Sequence, residues 1–455
     1  MVEFAGRKKT VPADAQGAWK LELPAMRASF EPRILRIADK TFTNVLVGEV
    51  WLAAGQSNME FPLQNEISAT TELPEATNSA LRLMNCSFAG QYFFSKPFGP
   101  DEIARQTVER FYSGSWQICS PASAKPFSAV GYFFGKELLQ KLQVPVGIIN
   151  CSVGGSPTEA WISRSALASN PDLSPMVHGN WLTNSSLDDW CRQRGHENLD
   201  ATLKAGLPVP EDDLGPNHSF KPAFLWEAGP ARLAPFAICG VLWYQGESNS
   251  LEERRVRQHG ELFPLLVESW RKTWSQNLPF LYCQLSSIRT NHYQSKFWPG
   301  FRDQQRRFLD TIPNTGMAVT SDIGLMDNVH PRDKHDVGHR LAVWALANTY
   351  HQPLEYSGPT PQSVVSDAQK TIVHFKHAKG LKTGDGQPLR GFEIAGVDGV
   401  YHAASAKIEG DKIVLAADNV SNAVSVRYGW QPFTDANLVN ADDLPASTFE
   451  MKTTH

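Results

Sequence analysis

Glu49-Val50-Trp51-Leu52-Ala53-Ala54-Gly55-Gln56-Ser57-Asn58-Met59 decides how the rest of the chain reads. An apolar, strand-like run breaks at Gly55 and delivers Ser57 ahead of a polar, helix-capable segment. A serine on a strand-to-helix turn has its hydroxyl exposed at the end of a sheet. The backbone N–H groups that follow then point at whatever the hydroxyl attacks. This is the local geometry of a nucleophilic serine hydrolase. Gly-x-Ser turns are common and most are ordinary turn chemistry, so the reading depends on what accompanies it.

Outward from this stretch, strand candidates at 45–53, 146–150, 237–244, 280–285 and 317–320 alternate with helices. In 128–142 Val130, Phe133, Phe134 and Leu138 recur at helical spacing, and Leu262, Leu265, Leu266 and Trp270 do the same further on. Such alternation predicts an α/β fold, a parallel sheet covered by helices on both faces. Residues 1–44 read as the remnant of a small β-module, with β-like runs at 19–23 and 34–38. Residues 45–352 form the α/β domain and 353–455 a β-rich domain, with a hairpin around Gly410-Asp411 and a further strand at 424–428. Within the α/β domain, 160–230 is rich in Asn, Asp, Ser and Pro, without a clean period. It reads as an insertion of short helices and loops, of the kind that forms a cleft wall.

The 455 residues are too many for one small core. Hydrophobic residues make up 42%, charged residues 20%, and the net charge is −4, so no basic excess points to nucleic acid. No apolar run is long enough to insert in a membrane, and no secretory signal begins at Met1. Thirteen Trp and 24 Phe mark a large core, with a few near loops as candidate sugar platforms. The six cysteines lack zinc spacing and disulfide-scaffold density; disulfide pairing, compartment and oligomeric state stay open.

Three further segments end in polar residues where a strand should end. In Val146–Asn150 and the residues after it, Gly154-Gly155 turn the chain, and Ser156 with Glu159 reads as a capping box with Pro157 at the first helical position. A glycine N–H here suits an oxyanion. Residues 238–248 end in Trp243-Tyr244-Gln245-Gly246-Glu247-Ser248. Ligands of open α/β sheets bind outside the carboxyl ends of strands, so Gln245 is a candidate oxyanion donor, and Glu247 orients a loop or a substrate hydroxyl. In Asp322-Ile323-Gly324-Leu325-Met326-Asp327-Asn328-Val329-His330-Pro331, His330 suits a general base, with Asp327 preferred over Asp322 to hold its Nδ1 because the two share a turn. No His/Cys cluster offers a metal site, and the chemistry calls for no cofactor.

Together these motifs resemble the sialate O-acetylesterase family of the SGNH (GDSL-like) hydrolase superfamily, over nearly the whole chain. The resemblance implies an SGNH-type fold with flanking β-modules, and Ser57 as nucleophile, His330 as base and Asp327 as orienting carboxylate. The Ser57 N–H, a glycine N–H (Gly154 or Gly155) and the Gln245 side chain would form the oxyanion hole. The implied activity is removal of O-acetyl groups from sialic acids, in a periplasmic or secreted setting, with an acetylated sugar or glycan as the partner. Residues 225–230 and the insertion before them depart from relatives where a cleft wall is expected, which leaves acetylated xylan or xyloglucan as the alternative substrate. A sialic acid carboxylate calls for an arginine, and Arg302 and Arg289 are the candidates. A catalytically idle carbohydrate-binding protein, or a lipase or thioesterase, are the competing classes.

Overall fold

Strand β1 (Glu49–Gly55) lies at the centre of a seven-stranded sheet, its second half fully buried. The computed structural model describes residues 1–366 and 370–454. The remaining sheet strands are β2 (Asn78–Asn85), β3 (Trp116–Cys119), β4 (Val146–Asn150), β5 (Gly240–Tyr244), β6 (Phe280–Cys283) and β7 (Thr315–Ala318). Their spatial order is β7-β6-β5-β1-β4-β2-β3. All neighbours are parallel except β2 and β3, which pair antiparallel at the edge.

Alternation along β1 explains why both faces are covered. Trp51 and Ala53 belong to one buried cluster, with Val130, Phe134 and Leu138 of α1 (Ala129–Leu142) and Val337 and Leu341 of α2 (His335–Trp344). Leu52 and Ala54 point the other way, into a second cluster with Leu262, Leu266 and Trp270 of α3 (Glu253–Trp274). A strand buried on both faces reads as a continuous apolar run, as this one does. Ser128, expected as the first residue of α1, is its cap: its hydroxyl accepts from the Gly131 N–H at 3.1 Å.

The 160–230 region contains more regular structure than its composition predicts. Asp189–Lys204 is a sixteen-residue helix, α4, capped by Asp188. Its buried stripe is Cys191, Arg194, Gly195, Asn198 and Leu199, a helical period carried largely by polar residues. At the amino end, Val2–Phe4, Arg7–Lys9, Ser29–Ile37 and Lys40–Val47 form a four-stranded antiparallel sheet. The expected strand at 19–23 is instead irregular. After Thr349 the chain forms two four-stranded antiparallel sheets around a third apolar cluster. The hairpin at Gly410 joins Ser405–Glu409 to Lys412–Ala416. Among the described residues no helix is long and apolar enough to cross a membrane.

The chain leaves β1 for one side of the sheet (β2, β3, β4) and later crosses to the other (β5, β6, β7). The carboxyl ends of β1, β4 and β5 therefore meet at a topological switch point, where open α/β sheets place their ligands.

Candidate active site

At that switch point Gly55 closes β1 with φ +128°, and a Cβ there would lie 2.2 Å from the Tyr244 carbonyl oxygen. Only glycine fits between β1 and β5. The chain then turns into the short helix Ser57–Glu60, whose first N–H groups have no intrahelical acceptor. Ser57 Oγ stands 2.8 Å from His330 Nε2, although 273 residues separate them in sequence. Both line a cavity of about 260 Å³ with Glu60, Phe61, Gln91 and Tyr92. Burial, with a smaller contribution from the Lys334 ammonium, pushes the His330 imidazole down to about 4. A neutral ring in contact with a serine hydroxyl is a proton acceptor in place.

The second turn supplies a donor that is already engaged. The Gly154 N–H donates to Glu60 Oε2 at 2.7 Å, and Gln91 Nε2 donates to Glu60 Oε1 at 3.0 Å. Burial raises the Glu60 carboxyl above its ordinary range, against these two hydrogen bonds. Gly155 follows at φ +73°, with the Phe220 and Trp190 rings 2.9 Å from where a Cβ would sit. The capping box expected from Ser156 and Glu159 does not form. The Ser156 hydroxyl donates to Val153 O (2.8 Å), while Glu159 pairs in the interior with Arg255 and accepts from Asn249. Gln245 is fully buried, and its amide N–H groups donate to Asn249 Oδ1 (2.7 Å) and Ser156 O (3.3 Å). Its role here is to tie β5 to the second turn.

Beneath the Ser57–His330 pair lies a buried polar relay. Asn58 Nδ2 donates to Glu247 Oε1 (2.6 Å) and to the Val329 carbonyl (3.1 Å), and Asn58 Oδ1 accepts from Lys334 Nζ (2.7 Å). Burial raises the Glu247 carboxyl and brings the Lys334 ammonium down to about 7, opposed by the nearby Glu247 charge. Asn58 thus connects the helix that begins at Ser57 to the residue immediately before His330. Glu247 contacts a loop-orienting amide; it is 1% exposed and out of reach of a substrate hydroxyl.

A family model described as carbohydrate esterase, sialic acid-specific acetylesterase, matches residues 226–347. The sialate O-acetylesterase of Homo sapiens is 28% identical over 423 residues, 85% of this chain and 71% of that protein. The Mus musculus protein of the same name is 27% identical over 430 residues, 86% and 74% of the two chains. A carbohydrate acetylesterase from Xanthomonas citri of known structure is 34% identical. It superposes with a TM-score of 0.77 over 100% of this chain and 92% of its own. The chain belongs to the sialate O-acetylesterase family. Membership makes it an ester hydrolase, and its parallel sheet, helical layers and flanking β-sheets are the SGNH-type architecture.

Within this sialate O-acetylesterase family member, four of the residues weighed from sequence, Arg302, Arg289, Asp327 and Asp322, stand apart from the Ser57 cavity. Arg302 is wholly buried, donating to Ser287 Oγ (3.1 Å) and to the carbonyls of Gly429 and Gln431, and burial lowers its guanidinium to about 9. It joins the α/β layer to the carboxyl-terminal sheets and is closed to a substrate carboxylate. Arg289 is exposed, its backbone N–H bonded to Met326 O on the loop that leads to His330. Asp327 is exposed on that loop, and among the described residues no group hydrogen-bonds His330 Nδ1. The reason is local: Asn328 Oδ1 accepts the His330 N–H at 2.9 Å. This Asx turn leaves Asp327 facing solvent. The rival, Asp322, is held by a two-pronged pair with Arg340 at 2.7 Å. Glu60, Asn58 and Lys334 escaped the sequence reading. Asn58 follows Ser57 within the opening stretch and Glu60 lies one residue past its end, while a lysine four residues past His330 carries no local signal of burial.

Proposed function

We propose that the chain removes O-acetyl groups from carbohydrates through an acyl-enzyme on Ser57. The observation that carries this reading is the 2.8 Å contact between Ser57 Oγ and His330 Nε2 inside a small cavity. Ser57 Oγ attacks the acetyl carbonyl while His330 Nε2 takes its proton. The oxyanion forms beside the Ser57 N–H, and it competes with Glu60 for the Gly154 N–H. His330 returns the proton to the departing sugar oxygen. Water, activated in the same way, then releases acetate. Asp327 is proposed to turn onto His330 Nδ1 in the substrate complex, stabilising the imidazolium as it forms.

Family membership favours an acetylated sialic acid as substrate. One observation favours a neutral acetylated sugar instead: the residues lining the cavity include the carboxyl of Glu60 and no Lys or Arg. The test is acetate release from 9-O-acetylated sialic acid and from acetylated xylan, for wild type, Ser57→Ala and His330→Ala. Either substitution is expected to lower kcat by about 10³-fold or more, with an unchanged circular dichroism spectrum. Undiminished release by either variant would overturn the mechanism, and the preferred wild-type substrate decides between the two sugars.

A further inference from the structure

The turn Gly90–Ser95 presents Tyr92 at the mouth of the Ser57 cavity in a way that packing does not explain. Tyr92 lines the cavity with Ser57 and His330, yet is 85% exposed. Among the described residues its ring pairs with no other ring and its hydroxyl has no hydrogen-bond partner. Its backbone is held at φ +75°, a conformation a bulky residue adopts only when its surroundings impose it.

The residues around Tyr92 are held on both sides. Asn198 of α4 donates its amide to the carbonyls of Phe93 (2.9 Å) and Lys96 (2.5 Å). The Arg194 guanidinium lies 3.8 Å over the Phe94 ring and bonds the Ser95 hydroxyl. On the cavity side, Gln91 is tied to Glu60, and Glu60 to Gly154. The turn is therefore fixed both to the 160–230 insertion and to the wall beside the nucleophile. An aromatic ring in this setting is preorganised for a ligand.

The size of the cavity says what that ligand is. At about 260 Å³ it falls below the ~300–1,000 Å³ of sites that enclose a drug-sized molecule. It holds an acetyl group and part of a sugar, so the remainder of the ring lies outside, against the mouth. We infer that Tyr92 is the stacking platform for the pyranose that carries the scissile acetyl ester, its ring face against the C–H face of the sugar. This specificity role rests on the Ser57 reading above.

The test compares a mono-O-acetylated methyl glycoside with ethyl acetate, which has no ring to stack. In Tyr92→Ala the ratio of kcat/KM for the glycoside over ethyl acetate should fall about tenfold, the order of one aromatic stacking contact, chiefly through KM. Tyr92→Phe, which keeps the ring, should restore it. An unchanged ratio in Tyr92→Ala, or a loss that Tyr92→Phe does not recover, would overturn the assignment. Ser57→Ala is run in the same assay. Acetate release that survives there removes the underlying mechanism, whereas Ser57-dependent release with a flat ratio removes the Tyr92 role alone.

Discussion

In the proposed mechanism His330 acts as a neutral base, so the pH at which its ring gains a proton would set the acid limit of activity. Burial, with a smaller contribution from the Lys334 ammonium, holds the ring at about 4, below the ordinary 6.5, and among the described residues no carboxylate contacts Nδ1 to favour the charged form. Activity requires the unprotonated ring. Hence kcat/KM, which reports the free enzyme, should be full at pH 6 and fall only as the pH drops through about 4. An acid limb well above 6.5 would mean that a carboxylate already holds the ring in the free enzyme. Asp327→Asn separates the states: the kcat/KM limb should stay in place, while kcat drops about tenfold or more if the carboxylate joins in the complex. No change in kcat would remove Asp327 from the mechanism. Ser57 and His330 were legible in the sequence because each sits in a short motif whose backbone geometry is local. The direction Asp327 faces was not, since an Asx turn from its neighbour Asn328 decides it.

Between elements, the site depends on a single amide. Asn58 bonds Glu247 Oε1 and Lys334 at once and holds the Val329 carbonyl. In Asn58→Ala two buried ionisable groups lose a partner. This is expected to destabilise the protein by about 2–4 kcal/mol, read as a lower urea midpoint at unchanged slope. Because the His330 loop loses its tether, kcat should fall by more than tenfold under conditions where the variant is folded. Full stability in Asn58→Ala would mean that Glu247 and Lys334 satisfy one another directly. The elements carrying this relay were legible in proportion to their burial. Strands β1, β4, β5, β6 and β7 are apolar and stood out. Strands β2 and β3 did not: β2 carries Arg82 at its middle, and β3 is mostly exposed at the sheet edge. Helix α4 was hidden for the opposite reason, since its buried stripe includes Arg194 and Asn198 where a hydrophobic pattern would show leucines.

At the scale of the whole molecule, the carboxyl-terminal sheets prop the loop that carries His330, the proposed base. Arg302 donates to the carbonyls of Gly429 and Gln431, and Pro432 O accepts from the Ile288 N–H at 3.2 Å. Ser287 Oγ in turn donates to Ser321 O at 2.7 Å, and Arg289 N to Met326 O at 3.1 Å. These contacts lead step by step from the distant sheets to the loop before His330. Removing the guanidinium in Arg302→Ala leaves buried carbonyls without donors and should lower stability by about 2–4 kcal/mol. If Arg302 acts only through this chain of contacts, kcat/KM for 9-O-acetylated sialic acid and for an acetylated neutral sugar should decline by the same factor. A rise in KM confined to the sialic acid would instead mean that the guanidinium reaches a substrate carboxylate. The buried position of Arg302 and its carbonyl partners lead us to expect the proportional loss.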